Sequence, residues 1–393
     1  MNRRNLLALG AATATGAVLG PVRIARAADP LKVGLIVPLT GPFTSTGKQI
    51  EAAMRLYLQH NGVTVAGRTV ELVVRDDGNV ADATRRLAQE LVVNEKVAVL
   101  AGFGLTPLAL AAAPIATRAK VPMVVTAAAT SSITEASPFV ARTALAIPQA
   151  AVTMADWAFD NNLRKVVTIV SDYGPGLDTE KWFADRLKAK GGQIAEAMRV
   201  PLANPDFAPF LQRAKDAAPQ AVFIFVPSGA GSVFMKQFAE RGLDQSGIKL
   251  IGTGDVTDDD ILNAMGDPAL GCVTAHHYSA SHDSALNKRF VEGMKQTANL
   301  RANFMGVSGY DGLALICKAV EKTGGDTDGT KLVEAMKGQS WESPRGPISI
   351  DPQTRDIVQN IYIRRVERVN GELFNTEFAT YANVKDPAKA GGR

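Results

Sequence analysis

After residue 27 the sequence has no apolar run long enough to span a bilayer, no excess of either charge and only two cysteines. A spanning helix needs roughly 18–20 apolar residues in a row, so no part of this stretch is expected to insert stably in a membrane. The whole chain carries 43 basic and 39 acidic residues, but four arginines fall within residues 1–27, which hold no acid, and the remainder is balanced. Such a balance offers no electrostatic footprint for nucleic acid or for an anionic membrane. Cys272 and Cys317 allow one disulfide at most. Their apolar settings, GCVTA and ALICKAV, favour two buried thiols.

Catalytic signatures are missing as well. The first strand-like run, VGLIVPLTGP, carries Gly34 and Gly41 but no G-x-G-x-x-G. No G-x-x-x-x-G-K-[ST] or G-x-S-x-G occurs, and GVSGY around Ser308 has the wrong spacing. Three of the four histidines cluster in HHYSASHD, as His276, His277 and His282 beside Asp283. On a strand His276 and His277 point to opposite faces, so no shared metal is expected. With no cofactor or metal to carry a reaction, a binding protein is the first expectation, and an exported α/β enzyme is the alternative from another class.

What is present begins with MNRRNLLALGAATATGAVLGPVRIARA. Arg3-Arg4, an apolar stretch from Leu6 to Leu19 and Ala25-Arg26-Ala27 follow the plan of a secretory signal cleaved near Ala27. The paired arginines are similar to a twin-arginine export signal, and no cysteine near the cleavage point could take a lipid anchor. The expectation is a mature, periplasmic protein; its plainest state is a monomer. At 46% hydrophobic and 21% charged residues, the chain has an ordinary globular composition, and its 393 residues suffice for two lobes.

Short apolar runs then alternate with amphipathic helical patterns. Strands are predicted at 31–39, at RTVELVVRDD, at 97–101 and at VPMVV, with helices over 47–61, 82–94 and 107–119 between them. The alternation restarts with KVVTIVS (165–171), helix 179–190, strand 193–200, helix 206–217, AVFIFV, helix 231–241 and IKLIGTG. Helical patterns over 284–299, 307–322 and 330–337 follow, and GPISID and QNIYIRRVERVNGELFN close the chain as two strand-like runs. This order marks parallel sheets with crossover helices on both faces.

One element boundary invites a ligand. In VAVLAGFGLTPLALAAAPIA (97–116) an apolar strand breaks at Gly102 and Gly104, and a helix pattern opens at Thr106-Pro107. A helix start presents backbone N–H groups without internal partners and a partial positive charge, which together bind carboxylates. By the residues alone, Thr106 reads either as a donor to such an anion or as a helix cap.

VGLIVPLTGPFTSTGKQIEAAMRLYLQHNG, VRDDGNVADATRRLAQELV, SDYGPGLD, GYDGLALICKAVEKTGGD and SPRGPISIDPQTRDIVQNIYIRRVE resemble the leucine/isoleucine/valine-binding protein family, in the same order and over almost all of the mature chain. These are periplasmic receptors of branched-chain amino-acid ABC transporters. The resemblance implies an α/β clamshell of type I periplasmic-binding-protein form, with two doubly wound, Rossmann-like lobes joined by three crossover strands. Residues 28–147 plus 279–343 would form one lobe, and 148–278 plus 344–385 the other. Residues 386–393 would be a C-terminal tail. Its partners would be a small carboxylate-bearing ligand and a membrane permease. The segment HHYSASHD would be a crossover with exposed polar residues.

The same resemblance implies the site. Thr106 falls where the family presents a hydroxyl to the ligand carboxylate, and TAAATSS (126–132) matches a second carboxylate-holding loop, with Ala127, Ala129 and Thr130 as contributors. Tyr173 in SDYGPG would face the cleft from the other lobe. The family's ammonium-binding glutamate is replaced by Gly254; its neighbour Asp255 either shifts into that role or is a turn residue, and Asp258 would cap a helix starting at Ile261. Two aromatic cleft positions are lost, one at Thr46 and one near Ser228, while Phe103 is either a stacking surface for the ligand or a core residue. The expected cargo is a branched-chain or other hydrophobic amino acid; the alternative is an aromatic or other organic acid, or an amide.

Overall fold

The computed structural model describes residues 29–389, so the expected export signal with its cleavage point, and the last residues of the expected tail, lie outside the described residues. In the first lobe, β1 (Leu31–Val37), α1 (Thr44–Asn61), β2 (Thr64–Val65), β3 (Arg68–Asp76), α2 (Ala81–Val93), β4 (Val99–Gly102), α3 (Thr106–Ala119), β5 (Met123–Val125) and β6 (Val140–Arg142) follow one another. They build a sheet in the order β2-β3-β1-β4-β5-β6, parallel throughout apart from the short β2. Its strands are nearly continuous apolar runs because helices cover both faces.

The second lobe repeats the plan with α4 (Ile147–Asp160), β7 (Lys165–Ser171), α5 (Gly174–Ala189), β8 (Gln193–Val200), α6 (Ala208–Asp216), β9 (Ala221–Phe225), α7 (Gly231–Glu240), β10 (Lys249–Thr253), α8 (Leu262–Met265) and β11 (Val273–His276). The chain then returns to the first lobe as α9 (Ala285–Ala298), α10 (Phe304–Lys322) and α11 (Gly329–Met336). Phe290, Leu313, Ile316 and Leu332 of these helices share one core with Val33 and Leu35 of β1 and Met54 of α1. Finally β12 (Ser340–Ser343), β13 (Gly346–Ile350), β14 (Ile357–Val369) and β15 (Glu372–Val384) extend the second sheet, giving β12-β13-β14-β11-β10-β9-β7-β8 with β15 paired to β14. Two doubly wound α/β lobes with three passes between them are the observed architecture.

Three local readings change. Helix α5 begins at Gly174, a full turn before the predicted 179, because Pro175 in its first turn gives up an N–H that has no helical partner anyway. The closing run is a hairpin rather than one strand: Asn370 and Gly371 both have positive φ, 49° and 88°, which suits a two-residue turn. Residues 340–343, assigned by the resemblance to the first lobe, pair with β13 in the second sheet. Cys317 lies in the first lobe's core and Cys272 in the second's; both are free, and burial pushes each thiol up to about 12. Among the described residues no helix is long and apolar enough to cross a membrane.

Candidate functional site

Both sheets place the first long strand between the next two: β3-β1-β4 in one lobe, β8-β7-β9 in the other. Loops leaving the two strands beside such a reversal diverge, which opens a crevice at the carboxyl ends of the strands. The two crevices face each other across a small cavity lined by both lobes. The first lobe supplies Phe43 and Thr46 after β1, Gly104, Leu105 and Thr106 after β4, Ala127, Ala128 and Ala129 after β5, and Met305 from α10. The second supplies Tyr173 and Pro175 after β7, Phe225, Pro227 and Ser228 at the end of β9, and Asp255 after β10.

The wall around Thr106 is made by a strained turn and a helix start. The chain leaves β4 through two consecutive residues of positive φ, Gly102 at 111° and Phe103 at 72°. A Cβ on Gly102 would overlap the Ile36 carbonyl. Phe103 costs about 1–3 kcal/mol in that conformation. It is held there by its own N–H to the Ile36 carbonyl (2.8 Å) and its carbonyl to the Ala128 N–H (3.1 Å). Its ring is fully buried in the first lobe's core, which removes it as a stacking surface for a ligand. The strained turn brings α3 in with its start exposed to the cavity. No side chain caps α3; the Thr106 hydroxyl instead lies 2.9 Å from that of Thr130, so the cap reading of Thr106 falls. Thr130 stands behind Thr106 rather than on the cavity wall. Among the described residues, the N–H groups of Thr106, Ala127 and Ala129 have no protein hydrogen-bond partner. Three N–H donors without protein partners, a hydroxyl and the start of a helix therefore belong to residues of one wall of the cavity.

The middle of the cavity is apolar. Tyr173 stacks on Phe225 with ring centroids 6.0 Å apart and planes 20° from parallel. Burial, with Asp255 nearby, raises the Tyr173 phenol well above its ordinary range, so it stays protonated. Phe43, Pro175, Pro227 and Met305 complete the slot. Phe225 is hidden in sequence because it sits within the run AVFIFV like any core residue. Met305 lies before the predicted start of α10; the signal for it is Asn303, whose side chain caps that helix by accepting from the N–H groups of Met305 and Gly306.

On the second lobe's wall stands Asp255, whose Oδ2 accepts from the Thr253 hydroxyl at 2.9 Å and lies 3.6 Å from His276 Nε2. Asp255 is thus a wall residue rather than a mere turn. A Cβ on Gly254 would overlap Arg364 Nη2 and come within 2.6 Å of His276 Cβ and Cγ. Where the resemblance puts a glutamate, this chain therefore has a buried guanidinium and an imidazole. His276 and His277 are themselves buried, not exposed, and their rings lie 4.5 Å apart, because β11 ends at His276 and strand alternation stops there. Neither nitrogen of His276 has a hydrogen-bond partner, and burial pulls its pKa down to about 4. The rest of the histidine cluster disperses: His282 pairs with Glu377 and Asp283 with Lys288. Among the described residues no group of three His, Cys, Asp or Glu side chains is arranged to hold a metal ion.

Polar contacts tie the lobes together across the cavity mouth. The Ser131 N–H donates to Asp178 at 3.0 Å, Asn303 Nδ2 donates to Asp258 at 3.0 Å, and Ser45 meets Asp260. Asp258 also accepts from Ser228 and caps no helix: α8 starts at Leu262, its cap position is Ile261, and no side chain caps it. Thr46 and Ser228, the positions of lost aromatics, are both on the wall, so the space they give up belongs to the cavity.

A sequence profile described as periplasmic binding protein matches residues 30–372. The chain belongs to the periplasmic binding protein family. Leu/Ile/Val-binding protein homolog 6 of Brucella melitensis biotype 1 is 46% identical over 365 residues, covering 92% of this chain and 94% of that protein. The solute-binding protein of an ABC transporter from Rhodopseudomonas palustris BisB5, solved in complex with 3,4-dihydroxybenzoic acid, is 61% identical. Its TM-score is 0.90, over 92% of this chain and 99% of that one. A second, from Rhodopseudomonas palustris HaA2 with p-hydroxybenzoic acid, is 42% identical with TM-score 0.90, over 92% and 100% of the two chains. These relatives of known structure are transporter solute-binding proteins, not enzymes. Members of a periplasmic binding family work outside the cytoplasm.

Proposed function

We propose that this chain is the periplasmic receptor of an ABC importer, and that its cargo is a small aromatic carboxylic acid without an ammonium group. The observation that carries this reading is the space beside Gly254. An amino-acid receptor must compensate a buried ammonium, which otherwise costs several kcal/mol out of water. Here the position is filled by Arg364 and His276, so the field behind Asp255 opposes a second cation. The carboxylate meets the free N–H groups at Thr106, Ala127 and Ala129, and the ring lies in the slot of Phe43, Tyr173, Phe225 and Met305. The benzoate-type ligands of the two Rhodopseudomonas relatives agree with this chemistry. A branched-chain amino acid is the second reading, favoured by the carboxylate of Asp255 on the wall and by the name of the Brucella relative.

The mechanism is capture, closure and delivery. Ligand binds the first lobe, and contacts from Tyr173, Phe225 and Asp255 favour closure of the second. To move the population from almost all open to almost all closed, the ligand must favour the closed form by about 5.5 kcal/mol. A permease then takes the closed form, after export with cleavage near Ala27. Isothermal titration of the purified protein with benzoate, 4-hydroxybenzoate, leucine and isoleucine tests the reading. The aromatic acids are expected to bind at least about 100-fold tighter, a difference of about 2.7 kcal/mol; tighter binding of leucine or isoleucine would reverse it. Thr106→Val, which deletes one donor to the carboxylate, is expected to weaken aromatic-acid binding about tenfold, and to lower the melting temperature by only about 2–4 °C because the Thr130 hydroxyl loses its partner.

A further inference from the structure

We infer that Asp255 selects ring-hydroxylated aromatic acids, by accepting a hydrogen bond from a phenolic hydroxyl on the part of the ring remote from the carboxylate; this rests on the aromatic-acid reading above. Asp255 is the one carboxylate on the cavity wall, which is otherwise made of apolar side chains, hydroxyls and backbone. Its two oxygens are used differently. Oδ2 is held by the Thr253 hydroxyl and faces the His276 imidazole, whereas Oδ1 accepts nothing from the described residues. Oδ1 is also not sealed within the protein, unlike the partnerless oxygens of Asp258 and Asp260. A carboxylate that lines a mostly apolar cavity with one oxygen unpartnered is best satisfied by a donor on whatever fills that cavity.

An ammonium is a poor answer, because Arg364 and His276 occupy the space around Gly254 and the cavity offers it no second anion. A bare ring is also poor, since it would seal the carboxylate away from water without a partner. A neutral hydroxyl satisfies Oδ1 and adds no charge. Tyr173 also offers a hydroxyl, but a neutral group left without a partner costs less than a carboxylate left so, and Asp255 therefore carries the larger discrimination. Discrimination of this kind is steep, because a site built to bond a hydroxyl penalises the analogue that leaves its buried polar group unpaired.

The test compares 4-hydroxybenzoate with 4-methylbenzoate, which has nearly the same shape but no donor, by isothermal titration. The native protein is expected to prefer the hydroxyl compound by at least about tenfold. In Asp255→Ala the ratio is expected to fall toward one. Equal affinities for the two acids in the native protein, or an undiminished ratio in Asp255→Ala, would overturn the inference while leaving the aromatic-acid reading intact. Binding of leucine with neither benzoate would overturn both. The native comparison needs no variant, so it stands even if Asp255→Ala fails to fold.

Discussion

Asp311→Ala is expected to lower the free energy of unfolding by about 3–5 kcal/mol, measured by urea denaturation. Asp311 on α10 and Arg345 between β12 and β13 form an ion pair, with Nη2 to Oδ2 at 2.7 Å and both side chains almost completely buried. Burial drives each toward its neutral form, raising the Asp311 carboxyl and lowering the Arg345 guanidinium, and each partner opposes the other's shift. Removing the carboxylate leaves a guanidinium in the interior without a counter-ion. The same guanidinium donates to the Thr143 carbonyl at 2.9 Å and to Gln359 Oε1 at 3.1 Å, so it ties the first and last passes between the lobes to α10. The double variant Asp311→Leu with Arg345→Met is expected to recover most of the loss, since a buried ion pair is often no more stable than an apolar pair of similar volume. A loss below about 1 kcal/mol in Asp311→Ala would mean that water reaches the pair. The position at the crossovers gives this pair a second consequence. In the proposed closure the pair sits where the lobes would pivot, and the double variant is expected to bind ligand more weakly even when its stability is restored.

Much of this is legible in the chain. Apolar runs of five to eight residues separated by helical patterns mark the strands, and β7 and β8 fall at the expected residues because both are bounded by polar turns. The start of α3 is also legible, marked by Gly102, Gly104 and Pro107, although the residues alone leave Thr106 open between a donor and a cap. Other features depend on distant chain. Gly254 in sequence is only a missing glutamate; that its place is taken by Arg364 requires β14, from far later in the chain, to lie antiparallel beside β11. The His276–His277 contact escapes the sequence reading because alternation there is carried one residue past the end of the strand. Phe103 stays open between two roles in sequence, and only the positive φ at its backbone decides it: the turn that exposes α3 points the ring inward.

The stability conferred by His276 is expected to vanish in acid. Its folded pKa of about 4 lies below the ordinary 6.5, with burial the main cause, Asp255 partly offsetting it, and Arg364 and Arg345 adding to it. A base whose pKa is depressed on folding contributes its full stability above the unfolded value and loses it as pH falls toward the folded one. The window therefore runs from about pH 6.5 to about 4, and the full amplitude is about 3 kcal/mol. His277, also lowered by burial, acts in the same sense. Asp258, Asp259 and Asp260 act in the other, because burial raises their carboxyls and their contribution is lost as pH rises. The clean measurement is thus a difference: urea unfolding of the native protein and of His276→Gln across pH 4.5 to 7.5. The native protein is expected to lose stability relative to the variant as pH falls, and parallel curves would show that the imidazole is hydrated or already charged. Binding follows the folded-state value instead: His276 charges in the folded protein only as pH nears about 4, and it then donates to the Oδ2 that it already faces, so the preference for 4-hydroxybenzoate over 4-methylbenzoate through Oδ1 is expected to hold from pH 7.5 down to about 5.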